Sequence, residues 1–290
     1  MTRADRATGT SRRRLVLVSI VLASLVVGCA GLLQNVGARW VTRQIGEELD
    51  LDEDQREATR MAVHRVMAAA PLVLGPGIDL LVATVDRAIA KGFDEKNMLV
   101  IEKQIDRLLD KAVGWILDEA APILATLRDE QIDNAERSLD ERLKETREEL
   151  AKPPDERSED RQDKFVDAIE EWTGGLSDTQ ERALRRYVAV LPDEAAARLA
   201  ADEKRLADIA DTLRQHPGAS VVRQAHWNAW KNREDWGANT RSPEERRAAG
   251  RQTLFYVYGL LNAKQKDHMS EHLHEIHAKV RSFLGAAAGS

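Results

Sequence analysis

The chain has 290 residues, 43 Lys and Arg against 49 Asp and Glu, a formal net charge of −6, one cysteine and 4% aromatic residues. An acidic balance is a poor match to phosphate backbones and argues against nucleic acid as a partner. One cysteine leaves no internal disulfide, and 32% charged residues with few aromatics point to long solvent-facing helices rather than sheet.

The first element runs from Leu15 to Gly28, fourteen uncharged residues between a basic opening (Arg3, Arg6, Arg12, Arg13, Arg14) and Cys29. A positive start, a short apolar run and a small residue at its end are the parts of a secretory signal. The run is shorter than the roughly 20 residues that cross about 30 Å of hydrocarbon. Val26-Val27-Gly28-Cys29 resembles a bacterial lipobox. The resemblance implies a signal peptide over 1–28, cleavage between Gly28 and Cys29, and diacylglycerol and fatty acid on the Cys29 thiol. No other cofactor is expected. Several acyl chains hold a domain to a membrane far more firmly than one. The expected mature chain starts with residues 29–31 and carries 38 basic and 48 acidic residues, a net charge near −10. Ser11-Arg12-Arg13-Arg14-Leu15 is also similar to a twin-arginine export motif, which leaves the export route open. Ala30 follows the cysteine where an aspartate would, by the resemblance to enterobacterial lipoproteins, imply inner-membrane retention. The expected location is therefore the cell envelope, at the outer membrane with the domain facing the periplasm.

Apolar residues Leu33, Val36, Trp40, Val41, Ile45 and Leu49 then fall on one helical face. A second helix is expected over about 53–69, ended by Pro71 and a Leu74-Gly75-Pro76-Gly77 loop. Helical spacing resumes over 78–91 and breaks at Gly92. Asp94 then caps a long helix that Pro122 should kink or interrupt. A highly charged helix over 128–150 leads to Lys152-Pro153-Pro154, the clearest linker. Further helices are expected near 155–173, 177–190, 192–215, 219–238, 243–260 and 262–284, with Ser242-Pro243 as a cap followed by proline at N1. The expected fold is all-α, an irregular bundle of about eight to ten helices. It divides into an N-terminal subdomain over 32–152, a C-terminal subdomain over 153–285 and a frayed tail over 286–290.

One short pattern occurs four times, at Leu51–Gln55, Leu127–Gln131, Leu176–Gln180 and Leu261–Gln265, separated by 76, 49 and 85 residues. In three of them Asp52, Ser177 or Asn262 stands three residues before the glutamine, which makes a capping box. The unequal intervals exclude a regular solenoid. The pattern resembles the L-T-x-x-Q signature of Spy/CpxP-type periplasmic proteins, which implies a chaperone or stress-sensing role, although threonine is absent at all four sites. Leu51, Gln55, His64-Arg65, Pro71, Trp172, Gly174, Leu176 and Gln180 together resemble an all-helical proteobacterial lipoprotein family of unknown function. That resemblance brings a location and a shape, and no activity.

Two clusters are candidates for chemistry. His268, Glu271, His272 and Glu275 form one stripe at helical spacing and offer a divalent metal two imidazoles and a carboxylate. Their other reading is a solvated polar face. Trp227 and Trp230 share a face, and with His64 and Arg65 they are candidates for partner binding; core packing is the alternative for the tryptophans. No serine elbow, phosphate loop, dinucleotide fingerprint or cysteine pair occurs. The expectation is a non-enzymatic scaffold or adaptor that binds envelope proteins and no small-molecule substrate.

Overall fold

The computed structural model describes residues 37–238 and 240–287; the signal segment and Cys29 lie outside the described residues. Among the described residues it contains ten helices and no strand. They are α1 (Gly37–Glu48), α2 (Glu53–Lys91), α3 (Glu95–Leu124), α4 (Asp129–Ala151) and α5 (Pro154–Thr173). After these come α6 (Asp178–Ala189), α7 (Ala195–Leu213), α8 (Ala219–Lys231), α9 (Pro243–Leu260) and α10 (Ala263–Ala287). The all-α bundle is as the sequence implies.

Local chemistry sets most of the starts. Asp52, Asp94, Ser177 and Ser242 each accept from the amide three residues on, and the side chain at that third position accepts from the cap's own amide. Asn262 and Gln265 make the same exchange ahead of α10. Gly92 and Gly174 end α2 and α5 at φ 99° and 73°, a region that side chains with a Cβ avoid.

Two expectations fail at prolines. α2 runs unbroken for 39 residues through Pro71 and Pro76, and no loop forms at 74–77. Each proline forfeits one helical hydrogen bond, but α2 is clamped between α3 and α10 along its length. The glycines there serve close approach instead of a turn. A Cβ on Gly77 would sit 3.0 Å from the Leu108 side chain, and one on Gly75 would sit 2.6 Å from Arg281 Nη1. α3 likewise continues through Pro122 to Leu124. α8 stops at Lys231, short of the expected 238, because Asn232 to Gly237 form turns anchored by Arg233, Trp236 and Arg246. α7 is shorter at both ends than 192–215, and α10 extends into the stretch expected to fray.

The four glutamine motifs meet in two pairs. Gln55 Nε2 donates to Gln131 Oε1 (3.2 Å) and to the Thr126 carbonyl (3.0 Å), while Gln131 Nε2 donates to Gln55 Oε1 (2.7 Å) and to the Asp50 carbonyl (2.8 Å). Gln180 and Gln265 repeat the arrangement at 2.8 and 3.2 Å, reaching the carbonyls of Leu260 and Gly175. In each case the accepting carbonyl belongs to the residue just before the partner motif's leucine. Each oxygen also takes its own cap amide, so buried amide groups are satisfied on every side. Around the first clasp pack Leu49, Leu51, Leu127, Ile132 and Ala210; beside the second lie Ile89, Leu261, Met269 and Leu273 with Trp172 and Leu176 against them. The first clasp joins the starts of α2 and α4, and the second joins those of α6 and α10. The Lys152–Pro153 junction separates helices that otherwise interlock, since α2 packs on α10 and α3 on α8.

Candidate functional site

Residues 66–83 of α2 contain a single charged side chain, Asp79. This helix is long and apolar enough, by length and composition, to cross a membrane, yet only 17% of its apolar window is buried. The exposed residues of the window are Ala68, Leu72, Pro76, Leu80 and Ala83, all uncharged and all within one helical stripe. Leu72 is 83% exposed and Leu80 53%. From Ala68 to Ala83 the stripe is about 22 Å long at 1.5 Å per residue. Arg65 and Arg87 stand on the same line just beyond its two ends.

The acids bordering the stripe are all paired. Asp79 meets His277 Nε2 at 2.7 Å and Arg281 at 3.7 Å, Asp86 meets His274 at 3.3 Å and the Ser270 hydroxyl, and Glu119 meets Arg65 at 2.6 Å. The neighbouring helix α3 is two-sided. One row, Glu95, Glu102, Asp106, Asp110 and Asp118, faces cations of α8, α9 and their connection. Arg251 bridges Glu95 (2.8 Å), Glu102 (2.9 Å) and Glu244 (3.2 Å), and Arg247 joins Asp106 (2.6 Å) to Glu234 (2.8 Å). Asp110 accepts from Trp230 Nε1 at 2.8 Å and Lys231 at 2.9 Å, and Arg223 pairs with Asp118. Burial would raise the Asp110 carboxyl, but these two donors together hold it below its ordinary range. Arg247 keeps Glu234 low in the same way. A second row of α3 carries Lys96, Val100, Lys103, Arg107 and Lys111, all exposed, and none of its cations has a carboxylate partner among the described residues. Lys111 Nζ donates to the Val73 carbonyl at 2.7 Å, which places this basic row alongside the apolar stripe.

The residues singled out in the sequence fall elsewhere or at the margin. His64 is exposed and Arg65 is paired across to α3; together they mark one end of the stripe. Trp227 packs over Gly114, whose built Cβ would lie 3.6 Å from its ring, and Trp230 is held by Asp110 and covered by Arg233 at 3.8 Å. Both tryptophans dock α8 on α3, and neither forms an open patch. His268, Glu271, His272 and Glu275 do not converge. His268 lies 4.0 Å from Glu271 and against Gly174, while the His272 ring packs edge-on against Trp172 at 4.9 Å. Among the described residues no group of three or more His, Cys, Asp or Glu side chains is close enough to hold a metal. The stripe supports the α5–α10 contact, with its imidazoles engaged as packing groups. A cleft of about 370 Å³ between α4 and α5 is lined by charges, but its Lys152–Asp160, Lys164–Glu149 and Arg157–Asp193 pairs at 2.7, 3.1 and 3.4 Å make it a salt-bridged seam.

One titration is built into the packing of α8. Burial lowers the His226 imidazole below its ordinary 6.5, against the opposing pull of the Val222 carbonyl 2.8 Å from Nδ1. The folded state therefore prefers neutral His226. That contribution is full above pH 6.5 and is lost as pH falls from there toward the folded value. The urea midpoint is expected to drop between pH 7.5 and 5.5, and His226→Gln should flatten this slope. An unchanged slope in the variant would remove His226 as its source.

A family model described as a family of unknown function (DUF6279) matches residues 48–232. No curated protein and no solved structure matches the chain.

Proposed function

The chain belongs to this family of unknown function, and on that footing we propose that it is a non-enzymatic scaffold or adaptor of the bacterial cell envelope. Cys29 carries the lipid that holds it, and the helical domain faces the periplasm. The observation that carries this reading is the contrast between the two sides of α3. The acids toward α8 and α9 are consumed by structural pairs, whereas the α2 stripe and the basic row beside it are left open. A surface of that kind is suited to docking, against an envelope protein or against the lipid surface itself. The Spy/CpxP-like chaperone reading draws on the same exposed apolar residues, and it differs in predicting many unfolded clients in place of one partner.

Fractionation and in-cell cross-linking of the full chain and its Cys29→Ser form test the proposal. Wild type is expected in the membrane fraction with acyl label on Cys29 and one dominant envelope partner. The serine form should lose the label, leave that fraction and lose the partner. Label-free wild type, or a partner catalogue indifferent to Cys29→Ser, would overturn the anchored-adaptor reading. A broad set of misfolded proteins appearing only under stress would favour the chaperone.

A further inference from the structure

The open face of α2 and α3 has the chemistry of a lipid-surface element. A helix that lies in a membrane interface presents an apolar stripe to the acyl boundary and basic residues to the headgroups. Here the stripe is Ala68, Leu72, Pro76, Leu80 and Ala83, and the headgroup side is the row Lys96, Lys103, Arg107 and Lys111 with Arg65 and Arg87 at the stripe's ends. In a chain with more acids than bases, the row Lys96, Lys103, Arg107 and Lys111 is a concentration of cations without carboxylate partners among the described residues. We infer that this face rests on a bilayer bearing anionic headgroups, as a second membrane contact that lays the domain along the surface.

Two further observations favour lipid over a protein occupant. First, α1 packs along the opening turns of α2, where a Cβ on Gly46 would lie 3.6 Å from the Arg56 side chain. From there α1 continues for nine more residues, about 14 Å, back to Gly37. Only seven residues lie between Cys29 and Gly37, eight steps with a reach of at most about 28 Å. An anchor at Cys29, which rests on the envelope reading above, therefore keeps the start of α1, and with it the helix pair α1 and α2, within that reach of the bilayer. Second, the face cannot belong to a membrane-spanning helix pair. The far side of α3 holds Glu102, Asp106 and Asp110 in ion pairs with α8 and α9, which keeps α3 in the bundle. The element lies on the surface and does not cross it.

The test uses the full chain, purified from membranes and reconstituted into phosphatidylcholine vesicles with and without phosphatidylglycerol. An environment-sensitive dye is placed by Leu72→Cys, or by Val190→Cys as a control on a distant exposed site, with Cys29→Ser as background if that thiol is free. Brominated lipid is expected to quench the dye at 72 and spare the one at 190, more strongly when the vesicles are anionic. Each basic residue near an anionic surface is worth about fivefold in binding, so Lys103→Gln with Arg107→Gln should weaken the contact by roughly 25-fold. Both sites are exposed and unpaired, so the fold should survive. Leu80→Glu should abolish quenching at 72. A dye at 72 that stays open to a water-soluble quencher overturns the proposal. A dye shielded from water yet untouched by brominated lipid also overturns it, in favour of a protein partner or a second copy. If the chain stays in the aqueous phase, the anchoring reading fails separately, and quenching by added anionic vesicles still decides the face.

Discussion

Replacing Gln131 with leucine is expected to destabilise the protein by about 3 kcal/mol, read as a fall in urea midpoint at constant slope. Gln131 is 1% exposed and sits at the centre of the first clasp. Its loss strands the Asp50 carbonyl and the Arg128 amide and takes one partner from each end of the Gln55 amide, which keeps the Thr126 carbonyl and the Asp52 amide. A buried polar group without a partner costs about 1–3 kcal/mol, and relaxation recovers only part of the total. The sharper expectation is non-additivity. Gln55→Leu alone should cost a similar amount, and the double variant should cost clearly less than the two together, by a coupling of about 1–3 kcal/mol. Additive losses would mean that the two glutamines act only as separate caps. Gln131→Leu combined with Gln265→Leu should be additive, because the two clasps share no side chain.

Gly174→Ala is expected to cost about 2–4 kcal/mol, combining two terms that a second substitution separates. Gly174 ends α5 at φ 73°, where a Cβ costs about 1–2 kcal/mol. That Cβ would also stand 3.0 to 3.1 Å from the His268 ring, whose other neighbour, His272, packs against Trp172. In a His268→Ala background the steric part should vanish and the backbone part remain, so roughly half of the loss returns. Thermal melting of the four proteins decides it. Full rescue would show that the left-handed backbone is unstrained, and no rescue would show that the ring yields.

Much of the architecture is legible because it is local. A capping box joins residues three apart, and the boxes at Asp52, Ser177 and Asn262 stand where their spelling puts them. The clasp is not legible from spelling, since it depends on which helix ends meet in space. The intervals of 76 and 85 residues turn out to separate partners, and the 49 between them separates the two pairs. α2 departs from its local signal for the opposite reason. Proline and glycine at 71, 75, 76 and 77 carry a strong local signal, and tertiary clamping by α3 and α10 overrides it. An apolar stretch such as 66–83 also reads as core, and only the packing of its neighbours leaves Leu72 and Leu80 outside. The histidine stripe of α10 has ligand spacing on paper, but its rings pack against Trp172 and Gly174, a contact that spacing along one helix does not reveal.

The reciprocal glutamines also bear on the order in which the chain acquires its structure. Each capping box closes within four residues and can form as soon as its segment is free. Each clasp must wait for a partner 76 or 85 residues further along. Closing loops of that length has an entropic cost that nothing repays until both helix ends are in place. A chain emerging N-terminus first therefore passes through an interval in which Gln55 is capped but unclasped, and α2 with its apolar stripe is already present. During that interval the helix has neither α4 locked at its start nor α10 along its side, and it depends on whatever apolar surface is nearest. Refolding should accordingly show an early phase indifferent to Gln131→Leu and a later one that the substitution slows.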